Sequence, residues 1–284
     1  MSWRTAGTVV LLAVALFACG GEAAETAGAP ALLDRADAEG AVPVVDLFEA
    51  PVPDHPDPAL RAGAASKFID CEHGIWAGGW SVDFGPPGSA EDPATALALF
   101  LTDQVFAAPG SGFTETGTDE FRRLFTYAND GDPKVAVIVV DGSEVALDDA
   151  SGWIVETFAS CDPAEFDPSA DQDLPFEVWT DSEGVRVPVR ILSSFAGSSH
   201  CDWQSVRFLR VGDESFVRDP DGVLAEATEV RFQPDTDLPP DAVDTGYGRE
   251  GSELWIAADR SIAYLVEPDR VEGWPAPERV FGCD

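Results

Sequence analysis

An α+β fold, mainly antiparallel β and arranged as two small modules, is what this sequence predicts. Three observations carry the prediction. Short apolar or alternating runs are separated by Gly, Pro, Asn and Asp turns through most of the 284 residues, one clear helical periodicity follows Asp92, and cysteines bracket two long stretches, Cys71 to Cys161 and Cys201 to Cys283.

In chain order, Arg4 precedes an apolar run from Val9 to Ala18. That run is too short for a bilayer span of roughly 20 residues but has the length of an export h-region, so residues 1–18 are expected to be a signal peptide. The run closes in Leu16-Phe17-Ala18-Cys19, which resembles the lipobox of bacterial lipoproteins. The resemblance implies that Cys19 is acylated and anchors the chain to the extracytoplasmic face of the cell membrane. Residues 19–66 are rich in Ala, Pro, Glu and Asp, as in Pro51 to Pro58, and read as an acidic tether.

The first module, residues 67–165, opens with a strand from Ile75 to Phe84 between glycine pairs and prolines. Asp92 before Pro93 is an N-cap with proline at the first helical position, and Ala94, Leu97, Ala98, Leu101 and Val105 recur at helical spacing, predicting a helix over 93–107. Strands follow at Phe121 to Tyr127, Val135 to Val140, Val145 to Leu147 and Trp153 to Cys161, with turns at Asn129 to Pro133 and Asp141-Gly142. One amphipathic helix on such a meander gives a helix-plus-sheet module.

The second module, residues 166–284, follows an acidic loop, Asp162 to Asp173, and is mostly β. Val185, Val187, Val189 and Ile191 alternate with Arg186, Pro188 and Arg190, predicting an edge strand in a hairpin with Phe176 to Thr180. Further strands are expected at Ser205 to Val211, Ser215 to Arg218, Val230 to Phe232, Leu254 to Ala257 and Ile262 to Val266, with a loop at Leu238 to Gly248 and Trp274-Pro275-Ala276-Pro277 leading to Cys283.

Acidic residues number 52 against 17 Lys and Arg, a net charge of −35, and every part of the chain beyond residue 18 shares the excess. A uniformly negative surface repels phosphate backbones and anionic headgroups, so nucleic acid is excluded as a partner; membrane contact is expected only through the N-terminal lipid.

With Cys19 set aside, four cysteines remain, and an even number in an exported chain predicts two disulfides. Three pairings are open. The modular layout favours Cys71 with Cys161 and Cys201 with Cys283, which would leave the halves free to shift and make a cleft between them the expected ligand site. The spacings contain no Cys-x-x-Cys element of a zinc site, and no metal or other cofactor is expected.

No catalytic residue is assigned. Hydrolytic triads need a base, and of the three histidines His55 lies in the proline run while His73 and His200 adjoin cysteines; no Gly-x-Ser-x-Gly elbow occurs. Asn129-Asp130-Gly131-Asp132 and Asp219-Pro220-Asp221-Gly222 offer oxygen ligands for calcium, yet turn chemistry accounts for both. Trp76, Trp80, Trp203, Tyr247, Trp255 and Trp274 either fill cores or line a sugar or peptide groove.

Cys71 to Phe84, the helix after Asp92, Trp153 to Cys161, and Cys201-Asp202-Trp203 through Trp274 resemble exported lipoproteins of high-GC Gram-positive, actinobacterial-type bacteria. The resemblance brings no catalytic motif with it. The expected function is a membrane-tethered, non-enzymatic binding ectodomain for an envelope protein, peptide or glycan; the alternatives are an envelope hydrolase and a structural envelope component.

Overall fold

Val135, Ala136, Val137, Ile138, Val139 and Val140 are each fully buried, so their strand must be covered on both faces. The computed structural model describes residues 41–80, 90–102, 108–144, 152–224 and 231–278, and among these the first half is a sheet with that run at its centre. In chain order the elements are helix α1 (Pro58–Ala62), strand β1 (Ile75–Trp80), helix α2 (Pro93–Thr102), β2 (Phe113–Thr118), β3 (Arg122–Asn129), β4 (Asp132–Asp141) and β5 (Trp153–Cys161). The sheet runs β1-β5-β4-β3-β2 and every pair is antiparallel.

The helix starts where the sequence indicates, with Asp92 accepting from the backbone N–H of Thr95 at 2.9 Å. Its Leu97 and Leu101 pack with Phe113, Val137 and Val139 on one face. Residues 103–107 and 145–147 lie outside the described residues. Asp130 and Gly131, with φ of 52° and 93°, make the left-handed turn that joins β3 to β4. Strand β2 went unassigned in the sequence because its Thr-Glu-Thr-Gly-Thr run has no apolar alternation.

Residues 44–68 correct the tether expected over 19–66. Val45 donates its N–H to Thr118 O at 2.9 Å, and Leu47, Ala62, Ala64 and Ala65 bury against Leu124, Ile138 and Ala159 on the second face of the sheet. Alanine-rich composition reads as linker, but here small side chains let backbone lie close on backbone. One such close approach is at Gly78 in β1, where a Cβ would stand 2.5 Å from Pro58 O and 2.9 Å from Ala62 Cβ. Arg61 seals the contact, its Nε donating to Gly78 O at 2.9 Å.

Cys71 and Cys161 form a disulfide with Cα atoms 5.3 Å apart across 90 residues. A loop of that length corresponds to about 4–5 kcal/mol on the chain-entropy model. Beside it, the buried Glu165 carboxylate accepts from the N–H groups of Glu72 and His73 and from Lys134 Nζ, at 2.9, 3.0 and 3.1 Å. Lys134 Nζ also reaches Asp70 O at 2.7 Å, so the buried charge pair is fully hydrogen-bonded. Cys201 is likewise disulfide-bonded, and its expected partner Cys283 lies outside the described residues.

The second half is two sheets face to face. Its strands are β6 (Glu177–Val178), β7 (Thr180–Asp181), β8 (Leu192–Ala196), β9 (Arg207–Val211), β10 (Glu214–Arg218), β11 (Val243–Arg249), β12 (Ser252–Ile256), β13 (Ile262–Glu267) and β14 (Arg270–Pro275). One sheet runs β10-β9-β8-β6 and the other β14-β13-β12-β11-β7. The segment 177–181 passes from one sheet to the other at Trp179, which is buried with Leu209, Phe216, Leu254, Ala263 and Trp274 between them.

Two expectations for this half are corrected. Residues 185–191 are not one strand: Val187 N–H pairs with Trp179 O, but Pro188 has no N–H to give, and its carbonyl accepts from Ile191 and Leu192 in a turn. Val187 therefore enters the core between the sheets, while Val189 joins Ala164 and Val178 against Trp76. The loop expected at 238–248 holds most of β11, whose alternation is hidden by a bulge between Asp244 and Tyr247; β14, Arg270–Pro275, is a strand beyond those expected.

The acidic stretch after Cys161 is a packed seam. Asp162 Oδ1 accepts from Val189 N at 2.9 Å, Arg186 makes a bidentate pair with Asp171 at 2.6 and 2.7 Å, and Trp76 meets Phe176 edge-on at 5.3 Å. All the described residues fall within one compact unit.

Replacing Gly78 by Ala is expected to lower stability by about 1–3 kcal/mol, the usual cost of overpacking against backbone. Denaturant unfolding of parent and variant measures it, and an unchanged midpoint would contradict the close packing of α1 on β1.

Candidate functional site

Several strands of the second half carry one inward-facing series that starts apolar and turns charged. On β9 and β10, Leu209 and Phe216 are core, and Arg207 and Arg218, two residues further along, stand directly opposite each other in the ladder. On β13 and β14 the same face reads Ala263, Leu265, Glu267 and Trp274, Glu272, Arg270. On β12 it reads Ile256, Leu254 and then Ser252, which pairs with Arg249 of β11. Like charges directly opposite on a ladder repel, so Arg207 and Arg218 require counter-charges.

Two carboxylates supply them, each bridging the sheets. Glu177 of β6 accepts from Arg207 Nη1 and from Ser194 Oγ, and pairs with Arg249 Nη1 at 3.1 Å; Trp179 Nε1 in turn donates to Ser194 Oγ at 3.0 Å. Glu272 of β14 takes Arg218 Nε and Nη2 at 2.9 and 3.2 Å, Trp274 Nε1 at 3.1 Å and Arg270 Nη1 at 3.2 Å. Burial works to raise the Glu272 carboxyl, but the hydrogen bonds from Arg218 and Trp274 and the charges of Arg218 and Arg270 outweigh it and hold the group below the ordinary glutamate range.

Between these two clusters lies a cavity of about 250 Å³, floored by Trp179 and Trp274 and walled by Arg207, Arg218, Arg249 and Arg270. In a chain with 17 basic residues against 52 acids, four guanidinium groups facing four carboxylates around one cavity make a locally neutral patch on a negative surface. Glu250 and Glu267 stand at its rim, pairing with Arg249 Nη2 and Arg270 Nη2, both at 3.1 Å.

The sequence candidates fall elsewhere, with one exception. Trp274 lines the cavity. Trp76 packs on Phe176, Trp203 lies 6.0 Å from Phe208, and Trp255 pairs with Tyr264 in the β12–β13 ladder. Trp80 ends β1, and Tyr247 packs against the core between the sheets. The three histidines are absent from the cavity lining: His55 Nδ1 accepts from Asp57 N, His73 is tied to Glu165 through its N–H, and His200 is exposed. Asp130 and Asp219 serve turns, Asp219 accepting from the N–H groups of Val223 and Leu224. Among the described residues no group of three or more His, Cys, Asp or Glu is arranged to hold a metal ion.

Sequence reasoning passed over Trp179, Glu177 and all four arginines. A signal existed: Phe216-x-Arg218, Arg207-x-Leu209, Leu265-x-Glu267 and Glu272-x-Trp274 each keep period two while changing from apolar to charged.

No protein-family model, curated protein or solved structure matches this chain.

The Glu272 arrangement predicts an acid-sensitive second half. Its carboxyl binds protons less readily folded than unfolded, so its contribution is complete above the ordinary glutamate pKa of about 4.3 and is lost as pH falls through the lower, folded value. In Glu272→Gln this part of the pH dependence is expected to disappear. The stability loss is bounded by the ~3–5 kcal/mol typical of breaking a buried pair and lessened because Arg218 and Arg270 reach water. Thermal unfolding of both proteins across the acid range measures it; identical pH profiles would remove Glu272 from this role.

Proposed function

We propose that this protein is a membrane-tethered extracytoplasmic lipoprotein whose folded unit is a binding ectodomain, with the arginine-walled cavity as its ligand site. The observation that carries the reading is the cavity itself: inward-facing strand positions that would extend an apolar core are given instead to four arginines, three glutamates and two serines around open volume. Concave sites with a few convergent polar groups over an aromatic floor are where small ligands bind. The Cys71–Cys161 disulfide supports export, since such bridges persist outside the reducing cytosol. The Leu16 to Cys19 stretch supports a lipid anchor at Cys19. The −35 charge argues against nucleic acid and leaves small envelope ligands, a peptide or a glycan, as the partners to test.

Cys19→Ala is expected to move the protein from the detergent phase to the aqueous phase and from membranes to the medium. Retention of the variant with membranes would refute the anchor.

Ligand entry is expected to change the emission of Trp179 and Trp274. Titration of the full chain with peptidoglycan-derived peptides and glycans should give a saturable change that Ser252→Trp, which fills the cavity from its rim, abolishes. Binding that survives this substitution would place the site elsewhere.

A further inference from the structure

The charges of the cavity divide into two tiers. At the floor, the side chains of Glu177 and Glu272 are 20% and 5% exposed and each is held by two arginines, so four guanidinium groups face two fixed carboxylates. Those six groups alone sum to +2, and the two rim carboxylates bring the whole lining to neutral. At the rim, Glu250 and Glu267 are 76% and 39% exposed, and each reaches only one arginine, Arg249 and Arg270 respectively. Water screens the rim pairs, which makes them weak, while the floor pairs are shielded. The arginines also keep unused donors: among the described residues Arg207 gives only Nη1 to Glu177, leaving Nε and Nη2 open.

We propose that the cavity binds a small doubly charged oxyanion, a dicarboxylate or a phosphate ester, gripped by Arg207, Arg249 and Arg270 between the two sheets. This rests on the reading of the cavity as the ligand site. Guanidinium is the group suited to such a ligand, because its planar fork meets two oxygens of a carboxylate or phosphate at once and stays charged at any physiological pH. The volume of about 250 Å³ admits a compact organic acid or sugar phosphate. Glu250 and Glu267 compete with the ligand for the same guanidinium faces. They lower its affinity and reject singly charged anions, which cannot replace both rim carboxylates. The net negative surface sharpens this selection, since an anion gains only inside the cavity, within about a Debye length of 8 Å of the arginines.

Calorimetric titration of the full chain at neutral pH, with succinate in one series and inorganic phosphate in another, tests the proposal and separates the two sources of charge. At least one is expected to saturate at one site per chain, with affinity falling as salt rises, and acetate is expected to bind far more weakly. Arg270→Gln should weaken binding by roughly tenfold or more, as loss of a charge-assisted pair does. Glu250→Gln and Glu267→Gln should strengthen it roughly two- to fivefold each, the worth of an exposed ion pair. Glu250 is so exposed that its variant folds as the parent does, and a gain of affinity is not what a purely structural ion pair would give. Absence of binding by both anions, or binding indifferent to Arg270→Gln and Glu250→Gln, would overturn the inference. A neutral glycan or peptide that binds, is blocked by Ser252→Trp and ignores the arginine variants would overturn it too, while leaving the cavity as the ligand site.

Discussion

Burial of β4 on both faces is the constraint from which the rest of the architecture follows. A strand whose every side chain from Val135 to Val140 is withdrawn from water cannot sit in a sheet with one wet face. Helix α2 covers one side through Leu97 and Leu101, and the segment around Leu47 and Ala62 to Ala65 covers the other. Each covering then has its own requirement: a capped helix start at Asp92 for the first, a glycine at position 78 for the second. The disulfide and the Lys134–Glu165 pair lie at the end of the same sheet and fix the point where the chain leaves it.

From that point the second half is held by directional bonds together with an apolar cluster of Trp76, Phe176, Val178 and Val189. Asp162, Asp171 and Arg186 convert an acidic stretch into a joint because each carboxylate finds fixed donors, N–H groups or a guanidinium. Beyond the joint, two sheets close over Trp179. Their inward faces run out of apolar residues at one end, and there the ion pairs of Glu177 and Glu272 cross from sheet to sheet. The same four arginines thus tie the sheets together and wall the cavity, so structure and recognition draw on one set of side chains.

What could be read from the candidate site beforehand was small. Trp274 was visible as one of six aromatics able to line a groove; Glu177 and the arginines were not, because charged residues in a chain this acidic look like solvated surface one at a time, and Trp179 lay inside an expected strand. Their meaning comes from phase: Arg218 follows Phe216 and Arg207 precedes Leu209 on the inner face of paired strands. A period-two pattern that keeps its phase while changing chemistry is legible in principle, but only once the strands and their facing sides are known. The 185–191 stretch shows the converse, a clean alternation that is not a strand, since Pro188 breaks the ladder and Val187 and Val189 enter different cores.

By itself the sequence determined the mainly antiparallel α+β class, the start of the helix at Pro93 and the strand from Trp153 to Cys161, because each rests on local signals, a cap or an alternation; it favoured, without fixing, the bond between Cys71 and Cys161. Only the tertiary structure decided that residues 44–68 form a layer of the fold, that the acidic stretch is a joint, and that four arginines scattered over more than sixty positions, from 207 to 270, meet around one cavity. The physical reason is common to all three. Close packing of small residues, pairing of a carboxylate with fixed donors and convergence of inward faces depend on which partners the sheets bring alongside, and strand pairing is a non-local choice that no window of the chain contains.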